Sequence, residues 1–127
     1  MTELKIFQLI SWISLPTVMF GGYSLLGAAG DKLTPEQRAL FRAGHAHAGV
    51  LLILALVALQ ILSRTTLSDT TLWITCFLLL FGILAQSGGF FLHLIPNRDK
   101  LGGRVTSVGA VLLGAGTLLT AYGVAFA

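Results

Sequence analysis

Long apolar runs alternate with short polar breaks along this chain. Positions 6–30, 43–63, 70–97 and 105–127 contain no Asp, Glu, Lys or Arg. Each run exceeds the roughly 18 apolar residues that mark a candidate membrane helix. The pattern predicts an all-α fold, a four-helix transmembrane bundle with spans at about 6–29, 43–63, 70–95 and 105–125, in one domain covering 1–127. The break "SRTTLSD" is short, so the second and third spans should form an antiparallel hairpin, and "IPNRDKLGGR" should turn the third into the fourth. The second helix has a start signal ahead of its apolar run. In "LTPEQ", Thr34 suits the N-cap, Pro35 the first helical position, and Gln37 the return bond of a capping box. That helix should therefore begin outside the hydrocarbon, with Glu36, Arg38 and Arg42 on its first two turns. Pro16 in the first span predicts a kink, and the Gly21-Gly22 pair adds softness there.

Small residues form a second pattern. Gly102, Gly109, Gly116 and Gly123 recur every seven residues in the last span. Gly102 is expected in the preceding turn, and the other three should share one helical stripe. Ser14, Gly21 and Ala28 give a weaker echo in the first span. Small residues let membrane helices approach closely, and a seven-residue period favours a left-handed crossing. The first and last spans would run antiparallel, so the two small faces are expected to pack, either within one subunit or between copies in a homo-oligomer.

Composition sharpens this picture. The 127 residues are 55% hydrophobic and 10% charged, against about 25% charged in soluble domains. Almost nothing is left to sit outside a bilayer. The net charge of +3 does not point to nucleic acid, because the basic residues flank the spans. Lys5 and Arg64 fall at one end, and Lys32, Arg38, Arg42, Arg98, Lys100 and Arg104 at the other. By the positive-inside rule the chain is expected as a multi-pass protein of the cell membrane, its basic loops cytoplasmic and both termini outside. The first span is too long, and its start too weakly basic, for an ordinary signal peptide. The single cysteine, Cys76, lies inside a span and is expected to act as a small hydrophobe.

Chemistry-bearing side chains gather at the basic end. "FRAGHAHAGVL" carries Arg42, His45 and His47, and the third span ends near His93. Residues two apart on a helix point about 200° apart. His45 and His47 should thus face different neighbours and cannot share one metal. His45 falls on the face of Arg38, Arg42 and Gly49. On the third span Gly82, Gln86, Gly89 and His93 follow one stripe, and polar stripes inside membranes normally face the bundle interior or a cavity. These positions predict a polar pocket at the cytoplasmic boundary, with His93 facing His45 or His47. His45 is favoured because Gly49 leaves space one turn away. Arg42 would border the pocket and Gln86 would lie deeper.

Three readings follow. The pocket can bind a haem, a transition metal or a small molecule through His45, His47, His93, Arg42 and Gln86, with His45 and His93 as the metal ligands. Alternatively, the histidines relay protons or gate a small-solute path in an oligomeric channel. In the third reading they are only the polar collar of helices entering water, and the chain is a structural or accessory subunit. There is no nucleophile–base–acid constellation, phosphate loop or paired carboxylate. Glu3, Asp31, Glu36, Asp69 and Asp99 all lie near helix ends or loops. Acid–base catalysis would rest on histidine, and the sequence leaves open whether the chain is an enzyme.

"GHAHAG" resembles histidine-bearing helix openings in haem-copper oxidase-related membrane proteins, which implies haem or metal ligation. Those proteins carry further histidines on other helices, and this chain does not. Its size, four helices and basic start to the second helix are similar in outline to the MAPEG glutathione-using membrane enzymes. The acidic residue expected inside the second helix there has no counterpart here, since Glu36 precedes the span. "FRAGHAHAGVL" also resembles a signature of small bacterial membrane proteins of uncharacterised activity. No catalytic residue is carried over from these resemblances.

Overall fold

The computed structural model describes residues 2–126 and contains only helices: α1 (Glu3–Leu26), α2 (Ala28–Asp31), α3 (Pro35–Leu62), α4 (Asp69–Leu92) and α5 (Asp99–Phe126). All but α2 are long and apolar enough to cross a membrane. The shortest of these has 24 residues, about 36 Å at 1.5 Å per residue, against a hydrocarbon core of about 30 Å. The protein is thus an all-α bundle of four membrane-length helices. The one-turn α2 is an addition that the run pattern did not reveal; it sits in the connection between the first two spans.

Helix boundaries follow local chemistry. α3 starts at Pro35, eight residues before its charge-free run, on the capping box that "LTPEQ" predicts. Thr34 Oγ1 accepts from the Gln37 N–H, and Gln37 Oε1 accepts from the Thr34 N–H, at 3.2 and 3.0 Å. α4 starts behind Ser68, whose hydroxyl accepts from the Thr71 N–H. It ends at Leu92 with His93 as C-cap. The following turn holds Pro96, which cannot continue a helix, and Asn97 at φ 62°. α1 runs through Pro16 as one helix.

α3 and α4 occupy the middle of the bundle, with α1 and α5 on opposite flanks. The core joins Leu52, Ala55, Ala58 and Leu62 of α3 to Leu72, Leu79 and Ile83 of α4 and Leu113 of α5. A smaller cluster of Phe7, Leu59 and Cys76 ties α1 to it near the chain termini. There Phe7 meets Trp73 and Phe77 edge to face, with centroids 5.8 and 5.2 Å apart, the arrangement that ring quadrupoles favour.

The closest packing lies between α4 and α5. Gly102, Gly109 and Gly116 of the seven-residue series all face α4 and are buried. A methyl group at Gly109 would run into the Gln86 backbone, and one at Gly116 would lie 3.1 Å from Leu79. Two expectations are corrected. Gly102 is inside α5 rather than in the turn, because the helix already starts at Asp99. The glycine face meets α4 of the same chain rather than α1. A short turn makes α5 the neighbour of α4, and α4 has its own small residues at Gly82 and Gly89 to receive it. The fourth glycine, Gly123, packs beyond the seam against Leu67 and Thr65.

Candidate functional site

The basic end of the bundle places its three histidines against three different neighbours. His45 lies between α3 and α1. Its ring fills a notch at Gly21-Gly22: a methyl group at Gly22 would lie 2.6 Å from Nε2, and one at Gly21 3.8 Å from Nδ1. Gly49, one turn along, faces Val18 of α1 at ordinary contact distance. His45 and Gly49 therefore do share a face, and the space that Gly49 leaves is taken by α1.

His47 turns the other way, toward α4. Its ring lies 4.8 Å from that of Phe90, tilted by 36°. Its Nδ1 is 2.8 Å from the Ala43 carbonyl oxygen. A carbonyl can only accept, so Nδ1 carries a proton, and in the neutral tautomer this places the lone pair on Nε2. Gly44, on the same side of α3, is what lets α4 approach, since a methyl group there would lie 3.0 Å from both Phe90 and Phe91.

His93 faces α5. Its Nδ1 lies 3.3 Å from Asp99 Oδ1, and a methyl group on Gly102 would meet its ring at 2.7 Å. The Gly82, Gln86 and Gly89 part of the stripe packs on α5, whereas His93 also borders a groove with Thr34, Glu36, Gln37 and Leu40 at the start of α3. Gly82 meets Leu113, the Gln86 backbone meets Gly109, and Gly89 meets Thr106 and the Gly102 carbonyl. From Gly82 to Gly89, what reads in sequence as the wall of a polar pocket is a close-packed seam, and only His93 opens on a polar groove. His45 and His93 point into separate helix contacts rather than toward each other. Among the described residues, no group of three His, Cys, Asp or Glu side chains could hold a metal ion.

No known family model, curated protein or solved structure matches the chain. The functional reading therefore rests on the geometry at this end.

The arginines divide. Arg42 is exposed, whereas Arg38 reaches back to the first connection, where its Nη2 donates to the Gly30 carbonyl at 2.7 Å. Its Nε is buried without a partner among the described residues. Gly30 is itself buried, and a methyl group there would strike the Leu25 carbonyl. Sequence reading placed Arg38 among the flanking charges and missed this bond, which no spacing rule signals. It also read Gly21-Gly22 as softness rather than as the seat of His45.

The cavities at this end are shallow. A groove of about 240 Å³ is lined by Ala46, His47, Val50 and Leu51. A second, of about 280 Å³, includes His93, Gln37 and Asp99. The first is almost wholly apolar, and His47 is its sole titratable lining residue.

Proposed function

We propose that the protein is a small multi-pass membrane subunit that acts through helix packing and assembly, with its basic loops in the cytoplasm and both termini outside. The observation that carries this reading is the fate of the histidines. Each is taken up by a different helix contact: His45 by the Gly21-Gly22 notch, His47 by Phe90 and the Ala43 carbonyl, His93 by Asp99 and Gly102. A histidine turned inward finds partners that lipid does not supply, which is how a polar collar behaves. The two-against-six division of basic residues supports the orientation. The protein purified in mild detergent should show neither a Soret band nor stoichiometric transition metal, and it should elute in a complex larger than one 13.5 kDa chain. One haem or metal per chain would overturn the reading.

His47 favours one alternative. Its Nδ1–H is held by a backbone carbonyl, the usual orientation of a ligating imidazole, and its Nε2 lone pair remains free beside the 240 Å³ groove. A haem, metal or small molecule bound at this end would then depend on His47. In that case His47→Ala would abolish any chromophore, and His93→Ala would leave it intact. Loss with His93→Ala but not with His47→Ala would reject this version.

A further inference from the structure

A groove between α1 and α3 lies at the opposite end from the histidines. Leu15 and Trp12 of α1 form one wall and Ile53 and Val57 of α3 the other, with a volume of about 540 Å³. Gln8 and Gln60 close it toward the chain termini. Gln8, Trp12 and Leu15 follow the i, i+4, i+7 spacing, as do Ile53, Val57 and Gln60. Two such parallel ridges are what a further helix packs between.

The amides distinguish this groove from the rest of the apolar surface. Gln8 Nε2 donates to Gln60 Oε1 at 3.4 Å, long for an N–H···O bond. Each amide has two donor hydrogens and an acceptor oxygen. Gln8 Oε1 and the Gln60 amide hydrogens have no other partner among the described residues. The pair thus presents one unused acceptor and unused donors side by side at the edge of an apolar groove. α1 also has room for a neighbour, for Trp12 is 62% exposed and only Phe7 and Ser11 of this helix are buried.

We propose that a second copy of this chain covers the α1–α3 groove, with the Gln8–Gln60 pairs of the two copies bonded to each other. The inference rests on the assembly reading above and names its surface and partner. An amide is its own complement, and copies inserted with the same topology are related by a two-fold axis along the bilayer normal. Such an axis conserves depth, so Gln8 and Gln60 of one copy arrive level with Gln60 and Gln8 of the other. The unused Oε1 then meets the unused N–H groups, as in interhelical amide bonds within membranes. A lipid chain would fill the apolar walls and leave both amides as they are.

Single cysteines test this in native membranes, with Cys76 retained because it is 1% exposed. Co-expressed Trp12→Cys and Val57→Cys chains should give a mixed disulfide-linked dimer on mild oxidation, because the two-fold axis brings α1 of one copy to α3 of the other. Val111→Cys, on the 71% exposed face of α5, should form no disulfide cross-link, and neither should the wild type. In detergent, Gln60→Leu should weaken dimerisation about three- to tenfold, the scale of one or two interhelical hydrogen bonds, without changing helix content. Equal or preferred cross-linking at Val111→Cys overturns the proposal. So does a monomeric wild type whose purified form carries a bound lipid that Gln60→Leu releases. Haem or metal in the preparation would defeat the assembly reading while leaving the cross-linking pattern to judge this interface by itself.

Discussion

Along α4 and α5 the backbones themselves touch, whereas α1 rests on α3 through side chains. In the first pair, Gly82, Gly89, Gly102 and Gly109 leave no Cβ at four points of close approach, and the Gln86 backbone lies directly over Gly109. In the second, His45 in its notch, Val18 on Gly49 and the long Gln8–Gln60 bond are spread over the length of the interface. Of the membrane-length stretch of α4, 39% is buried, against 6% of α1. Lipid tails are as apolar as leucine, so a membrane helix gains little by hiding apolar surface. Close dispersion contacts, each about 0.1–0.2 kcal/mol, must supply the adhesion. The glycine seam supplies many of them, and the α1 contact few. The difference assigns α4–α5 the role of scaffold and leaves α1–α3 as the face with unused bonding capacity.

Breaking the seam should have the largest effect. Gly109→Leu forces apart two backbones that no rotamer change can relieve. It is expected to destabilise the protein by about 3 kcal/mol, the upper end for overpacked sites, read as a lower midpoint of thermal unfolding in detergent. A loss no larger than that of a surface substitution would remove the distinction between the two pairs. On the other side, Gly22→Ala places a methyl group against the flexible end of His45, which can rotate away. The expected cost is about 1 kcal/mol, that of one side chain leaving its preferred rotamer. His45→Ala in the same chain should recover most of it, so the double-mutant cycle should show coupling. Additive effects would mean that the ring does not occupy the notch. The smallest effect belongs to Gly114→Ala, on the open side of α5 with nothing within 4 Å. It should be neutral or stabilising by about 0.5 kcal/mol, because alanine favours the helix. Destabilisation there would show that this side of α5 is covered as well.

What could be read from sequence divides along the same physical line. The capping box at Thr34 and Gln37 was legible because two residues three positions apart make it. The four long helices were legible because bilayer thickness sets a length that composition reveals. The inward face of α5 was visible as well, in the seven-residue glycine series. Its partner was misassigned, because helix pairing is a contact between distant parts of the chain. The signal that would have found it was present, in two small-residue series, Gly82 with Gly89 and Gly102 with Gly109, on helices joined by a short turn. At the basic end, the helical angle correctly sent His45 and His47 to different neighbours. It could not say that a glycine pair on α1 would accept one ring, nor that α5 would meet His93 first.

Arg38 leaves a consequence for the life of the chain. While the helices enter the bilayer, its guanidinium is one of six positive charges on the basic loops and helix ends. After folding it is tied to the Gly30 carbonyl, with its Nε enclosed. A lysine would carry the same charge, but its shorter side chain ends in an ammonium without the Nη2 arm that reaches this carbonyl. If the basic loops are cytoplasmic as proposed, the residue would serve two stages in succession, first as part of the orientation signal and then as a latch on the first loop. Arg38→Lys separates them: insertion would proceed with its full charge count, and the latch would be lost.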